Sequence, residues 1–577
     1  DLNNDPFTQG SGLANIDSAL NYVHGAEGVF IVYNDASYSN IKKVIEPAMD
    51  NINSTSIGFE KFQFPSNSLS MTSWFAGQLF PGDRTTSTFT IKNPTNDTLT
   101  VNIKSKNLSL ISKTQFNGTT IPRQQDFISN KTDSFIPNYV QLSDVNKHAE
   151  LGDFFNEQNP IPDESSLMIL NVNFQFDEFM NSTTNVYADD IKISSLYLYD
   201  WVDSNNNTKI TSDELSMINR SGSWGTVQEL RVSEPQEKFE GIPLVGVYPV
   251  PSKYSYWLGD TKQNSTSMEY TLSASYYQKD DWSVMWPETE IISVPPNDIS
   301  TVDVTLVAPN DLQTGVYQGF LTFESDQHTV NAPVSFVIKQ SILDNDSTIL
   351  IKGKQSDDVL YGSGYTKGAF DMVNRYMAGD WRQYYFDIQN ESINSASIEL
   401  SWITDDTNLA VFVMDPSGKI IQTNVPSGVF GHFLGWPSLD WLGNSPFSQG
   451  GGFYPVKNKD DTSTVLYAPI NQTGTYTLLT HSTLFGGSST TEPITLAAKF
   501  SNISSDVIPK NEQINDKPES IIPQEKSILL HETIPEDKII ENTLSNSSLG
   551  LGVAIGIVIG IAIGIVFVFI IRQKSSK

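Results

Sequence analysis

From Trp74 onward apolar and polar residues alternate with period two over short runs, and each run is broken by Pro, Gly, Asn or Asp. Successive side chains of a strand point to opposite faces, so the pattern predicts half-buried strands joined by tight turns. In FAGQLFPGDRTTSTFTIKNPTNDTLTVNIKSKNLSLI a Pro81-Gly82-Asp83 turn leads into a strand ending at Ile91. Asn93 to Asp97 form the next turn, and a further strand passes through Val101 and Ile103. The runs LMILNVNFQF (167 to 176), ISSLYLYDW (193 to 201), PLVGVYPVP, SMEYTLSASYY, TVDVTLVAP, TGVYQGFLTFES and TVNAPVSFVIK carry the alternation on to residue 339. A third group comprises RQYYFDIQN, ASIELSWITDD, LAVFVMDPSGKIIQT, GTYTLLTHS and ITLAAKFSN, with a hairpin turn at Pro416-Ser417-Gly418. The fold class expected is mostly β, in tandem β-sandwich domains of fibronectin/Ig-like and jelly-roll-like kind. Alternation gives the faces of the strands and leaves their order open.

Other segments break the pattern. Residues 1 to 23 read as a turn and short helix carried by Leu13, Ile16, Ala19, Leu20 and Val23. GVFIVYN (28 to 34) reads as a short strand or connector, and Ile41, Val44, Ile45 and Met49 fall at near-helical spacing. Residues 427 to 456 make a long Gly-rich, aromatic loop, of a length more often functional than connecting. Residues 502 to 549 are rich in Pro, Glu, Asp, Asn, Ser and Lys without an apolar face, which predicts a disordered acidic stalk. The expected division is 1–73, then β-rich units at 74–242, 243–345 and 346–501, followed by the stalk.

The C-terminal pattern is different again. Leu551 to Ile571 contains no charged or strongly polar residue, and at about 1.5 Å per residue such a helix matches the roughly 30 Å hydrocarbon core of a bilayer. A single transmembrane helix is expected at 550–571, with Arg572, Lys574 and Lys577 in a cytoplasmic basic tail at 572–577 and the bulk of the chain outside the cell. The lipid bilayer is then a partner. Gly552, Gly556, Gly560 and Gly564 form a close-packing stripe suited to self-association of such helices. The chain opens without Met or a leader, which suggests the back part of a longer protein.

Composition narrows the chemistry. With 66 acidic residues against 36 Lys plus Arg, a net charge of −30, the chain repels nucleic acid, and none is expected as a partner. The absence of cysteine excludes disulfides, thiolate nucleophiles and sulfur-ligated metals. Asn-x-Ser/Thr triplets, among them Asn96, Asn107, Asn117 and Asn219, agree with an exterior location but are frequent by chance in a chain this rich in Asn, Ser and Thr.

The most specific motif is DSNNNTKITSDE, Asp203 to Glu214. Oxygen donors recur at the first, third, fifth, seventh, ninth and twelfth loop positions: Asp203, Asn205, Asn207, the Lys209 carbonyl, Thr211 and Glu214. Calcium requires six or seven oxygens wrapped round it, with the last glutamate gripping through both of its own. Thr208 stands where Gly usually makes the tight turn, so a simple polar turn is the competing reading. Each of the six His stands alone, and neither a G-x-S-x-G elbow nor an H-E-x-x-H helix occurs. His432, with Trp436, Asp440 and Trp441, lies in the aromatic loop, where a ligand-contacting role competes with packing. Asp405 and Asp406 precede an alternating strand, and since neighbours on a strand point oppositely, a turn or solvated pair is expected in place of a catalytic one.

The opening DPFTQGSGLANIDSALNYV (5 to 23) resembles the segment that closes the catalytic domain of subtilisin-like serine peptidases. Residues 74 to 104, 196 to 215 and 302 to 338, and SWITDDTNLAVFVMDPSGKI with TGTYTLL, resemble the β-rich accessory domains of large archaeal, pyrolysin-like members. The resemblance implies that 1–73 holds the end of a truncated peptidase-like domain and that the triad lies upstream. This chain would be the accessory and anchoring portion of a cell-surface endopeptidase, meeting polypeptide substrates through the missing catalytic domain and inactive alone. Two alternatives are a non-enzymatic β-sandwich surface adhesin or envelope protein, and a glycan-binding module resting on the 427 to 456 loop.

Overall fold

The computed structural model describes residues 28–55, 69–119, 155, 160–174, 193–207, 212–223, 227–250, 269–353, 363–367, 380–405, 407–424, 462–484 and 491–503. The peptidase-like opening at 5 to 23, the aromatic loop from 427 to 456 and the stalk from 504 on lie outside these residues.

The architecture is mostly β. Among the described residues twelve strands join into one sheet. Its path begins with Ile420–Thr423, Asn408–Met414, Gly474–Leu484 and Trp381–Ile388. It continues through Thr329–Ile342, Gly315–Glu324 and the 21-residue strand Leu99–Thr119, and ends with Glu269–Asp281, Leu167–Phe174 and Val227–Ser233. Three hydrophobic cores lie along it, each closed by a smaller sheet into a sandwich. In the first, Phe89, Ile91, Val302 and Val304 of the small sheet meet Val101, Ile103, Phe323 and Phe336 of the long one. In the middle core Leu196, Leu198, Val245 and Val247 cover Met168, Leu170, Val172 and Leu272. In the third, Ile398, Leu400, Leu496 and Ala498 cover Tyr384, Phe386, Val411 and Leu478.

Two pairings make the long sheet continuous, and they correct the expectation of tandem fibronectin/Ig-like and jelly-roll-like units. Leu99–Thr119 contributes Leu99, Val101 and Ile103 to the first core and then continues into the middle sandwich, paired with Glu269–Asp281 as far as Thr119. Lys339–Ile342 pairs in parallel with Tyr385–Ile388, carrying the sheet into the third core. Backbone N–H and C=O groups at what would be the edges of separate sandwiches are thereby satisfied by the neighbouring unit.

The turns follow their residues. Asn93, fully buried, accepts from the Thr95 amide and hydroxyl and donates to the carbonyls of Asp97, Val294 and Pro295, so one side chain organises the Asn-Pro-Thr-Asn-Asp turn. At Pro416-Ser417-Gly418, Asp415 Oδ1 accepts from the Ser417 and Lys419 amides, and Gly418 takes a φ of 76°, which glycine adopts without steric cost.

The spacing of Ile41, Val44 and Ile45 does correspond to a helix, α1 (Ala36–Thr55), whose Ser37 amide is capped by Asn34 Oδ1 at 3.0 Å. It carries Lys42, Lys43, Glu46 and Asp50 and has Pro47 inside, so it cannot shed its charge into lipid. Among the described residues no helix is long and apolar enough to cross a membrane, and 551–571 lies outside them. The expected transmembrane helix, its bilayer partner, its self-association and the single-pass cell-membrane placement are corrected accordingly: the described residues supply no anchor.

Candidate functional site

The hairpin of Ile193–Trp201 and Leu215–Ser223 holds the loop singled out by its oxygen spacing. Trp201 pairs with Leu215, and the Val202 amide donates to the Glu214 carbonyl at 3.0 Å, so the ends of the loop are fixed to each other by backbone alone. Inside it the Asn207 amide donates to both Asp203 Oδ1 and Asn205 Oδ1, each at 3.0 Å. Asn206 takes a φ of 55°, a left-handed conformation that Asn tolerates better than most residues. A sharp turn thus falls at Asn206, while Thr208 lies outside the described residues.

Glu214 closes the loop from a short turn of 3-10 helix, Ser212–Glu214. It is only 5% exposed. Its Oε1 accepts from Asn205 Nδ2 at 2.6 Å and Ser204 Oγ at 3.3 Å, whereas Oε2 is buried and has no hydrogen-bond partner. A buried carboxylate oxygen without a donor is costly, and a cation at that oxygen removes the cost. Of the six residues named from the sequence, Asp203, Asn205, the Asn207 backbone and Glu214 come together, and Lys209 and Thr211 lie outside the described residues. Among the described residues no three His, Cys, Asp or Glu side chains cluster, because Asn supplies the middle donors here. The side-chain oxygens of Asp203, Asn205 and Glu214 are of the hard kind that calcium takes.

The root of the loop is braced by Asp200, 5% exposed, whose two oxygens accept from the Gly241 amide at 2.9 Å and the Glu240 amide at 3.0 Å. A Cβ on Gly241 would stand 2.0 Å from the Trp201 carbonyl oxygen, so only glycine permits this approach. Tyr197 and Tyr199 stack with centroids 6.0 Å apart and planes within 8°. Burial, reinforced by Tyr197, pushes the Tyr199 hydroxyl up and keeps it protonated.

A second polar centre escaped sequence reasoning. Glu229, on Val227–Ser233, accepts from Arg231 Nε at 2.8 Å and lies 3.7 Å from Lys367 Nζ, on a strand that is distant in sequence. The Lys367 amide donates to Asp380 Oδ2, as does Arg382 Nε, and the Arg382 guanidinium sits 4.2 Å from the Tyr365 ring centroid. Burial alone would raise the Glu229 carboxyl, but Lys367 and Arg231 outweigh it and hold it down to about 2. The Glu-x-Arg spacing on one strand face was visible in the sequence; nothing there pointed to Lys367.

Of the histidines, His481 stacks on Trp381 at 4.0 Å and His328 meets Phe30 edge-on at 5.2 Å, which are packing roles. Asp405 is exposed, and Asp406 lies outside the described residues.

The fold and this loop define a mostly-β sandwich protein with a candidate cation loop. No family model and no curated protein matches the chain. Among solved structures it is similar to a family 123 glycoside hydrolase from Clostridium perfringens, at 9% identity and a TM-score of 0.14, covering 54% of this chain and 27% of that one. It is also similar to tandem CBM51 modules of a family 98 glycoside hydrolase from Streptococcus pneumoniae, at 10% identity and a TM-score of 0.15, covering 60% and 80%. Tripeptidyl peptidase 2 matches at 8% identity and a TM-score of 0.12, covering 86% of this chain and 36% of that one. Likenesses this slight carry no argument about function. The expected role as the accessory portion of an archaeal subtilisin-like peptidase is corrected on this ground: neither a peptidase family nor an archaeal origin finds a match.

Proposed function

We propose that this chain is a non-enzymatic β-sandwich protein of the adhesin or envelope type, with a calcium-held hairpin loop in its middle unit. The observation that carries the reading is Glu214 Oε2, buried and without a partner in a loop whose Asp203 and Asn205 oxygens already converge. Asp203, Asn205, Asn207 and Glu214 hold the ion; Lys209 and Thr211, the other positions of the sequence motif, lie outside the described residues. Bound calcium neutralises Glu214 and ties Ile193–Trp201 to Leu215–Ser223. The continuous sheet supports a mechanical role, since force applied at one sandwich passes to the next through backbone hydrogen bonds instead of a linker.

Thermal melts of the full chain with millimolar calcium and with chelator test the reading. An ion that binds only the folded state raises stability by about 2.7 kcal/mol at a hundredfold excess over Kd. The melting temperature is therefore expected to rise with calcium in the parent chain and to be indifferent to it in Asp203→Ala and Glu214→Gln. An unchanged melt across millimolar calcium in the parent chain would overturn the assignment.

A further inference from the structure

One face of three adjacent strands, Leu99–Thr119, Glu269–Asp281 and Leu167–Phe174, changes chemistry along its length. At one end Leu110, Tyr277 and Leu167 stand side by side and pack against Phe320. Further along, the row reads Gln115, Ser273 and Asn171, and beyond it Asn117, Thr271 and Asn173. Residues directly paired across a ladder share a face, so these amides and hydroxyls form one continuous polar surface, on the side away from the middle core. Asn171, Ser273 and Asn173 are nonetheless 8%, 4% and 4% exposed. Burying polar side chains is costly unless something bonds them.

The polar end opens into a cleft of about 380 Å³, within the usual range for small-molecule sites. Asn117, Thr119, Asn173, Glu269 and Thr271 line it, and the opposed pair Gly118 and Tyr270 completes the lining. Asn173 Oδ1 is buried there without a hydrogen-bond partner. Exchanging the oxygen and nitrogen of that amide would only strand a donor in place of an acceptor, so the position calls for a partner in either orientation. Thr271 Oγ1 donates to Asn117 Oδ1 at 3.1 Å, so one hydrogen bond already joins two side chains of the row. The occupant must therefore bond Asn173 and also reach Asn117, two strand spacings or about 9–10 Å across the sheet, which a molecule carrying several hydroxyl groups does. The Glu269 carboxylate and the net charge of −30 disfavour an anion.

We propose that this cleft binds a neutral saccharide of one or two rings, with Asn117, Thr271 and Asn173 as the hydrogen-bonding row. The site is separate from the calcium loop, which belongs to a different sheet, so either reading can fail without the other.

The test uses the full chain made in a host that does not N-glycosylate, so that Asn117, in its Asn-Gly-Thr triplet, is bare. Glucose, galactose, mannose, N-acetylglucosamine, lactose and cellobiose are titrated by calorimetry in the presence of chelator, which separates the outcome from calcium. At least one is expected to bind with a millimolar or tighter Kd. Asn117→Ala and Thr271→Val, both at exposed hydrogen bonds, are expected to weaken that binding about tenfold each, the loss of one or two hydrogen bonds, with the melting temperature unchanged. Asn173→Ala is expected to weaken it at least as much. No binding by any of the six sugars, or binding that both exposed variants leave intact, overturns the proposal.

Discussion

Glu492 shows how one side chain can fix a loop. It is 3% exposed, and its Oε1 accepts from the Ile403 and Thr404 amides at 2.7 and 2.8 Å while Oε2 accepts from Thr404 Oγ1 at 2.6 Å. Replacing Oε2 by an amide nitrogen takes the charge out of these bonds and forces the Thr404 hydroxyl to turn from donating to accepting in a dry site. Glu492→Gln is therefore expected to cost about 1–3 kcal/mol in urea unfolding. Asp405→Asn, in the same loop but exposed, is expected to change stability by less than about 0.5 kcal/mol. A Glu492→Gln variant as stable as the parent would show that the loop holds itself. The contrast also explains what was legible at this scale. Asn93 and Asp415 organise turns out of their own near neighbours, so their segments read as turns from the sequence. Glu492 bonds residues far away in the chain, and no local pattern marks it. The candidate cation loop belongs with the first kind, because its oxygens are spaced by the chain itself; the cleft belongs with the second, because Asn117, Thr271 and Asn173 meet only through strand pairing.

Among the elements, period-two alternation located strands well, since it follows from the geometry of a single chain. ISSLYLYDW coincides with Ile193–Trp201, and Phe89 and Ile91 point into a core as their alternation requires. In Leu167–Phe174 every residue is buried: Met168, Leu170, Val172 and Phe174 face the middle core, and Leu167 and Ile169 pack with Phe320 on the other face. Partners are set by other strands, so the run of Leu99–Thr119 from one core into the next gave no sign in its sequence. The bridge of Glu229 to Lys367 is a contact between such elements, and it has a pH signature. Its folded carboxyl, held near 2, lies below the ordinary 4.5. A depressed carboxylate stabilises the fold fully above the unfolded value, and that contribution is lost as pH falls from 4.5 toward 2. Glu229→Gln is accordingly expected to melt below the parent at pH 7, with the gap closing through that window. A gap constant from pH 7 to 2.5 would show that the charge of Glu229 contributes nothing.

For the molecule as a whole, the middle sandwich is an insertion into the first. Every residue of the first core lies between 30 and 103 or between 282 and 338, and the third core begins at Ile342. Lys106 and Asp281 face each other at the mouth of the insertion, with Nζ and Oδ1 2.6 Å apart, and the Trp282 amide donates to the Ser105 carbonyl at 3.0 Å. That register suits a two-residue Asn-Gly hairpin turn, so residues 107–280 can be excised and the ends joined without moving either strand. The cost falls on Lys367, which loses Glu229, and on Phe320, whose ring loses Leu108, Leu167, Ile169 and Tyr277; exposing such a side chain forfeits about 1.5–3 kcal/mol and leaves an apolar patch. The excised chain is expected to keep its β circular dichroism and a cooperative melt, at a lower temperature than the parent, and Phe320→Thr is expected to reduce its aggregation without further loss of cooperativity. Collapse of the first core on excision would mean that the strand Leu99–Thr119 folds only as one piece. The long sheet would then be a single cooperative unit joining all three cores.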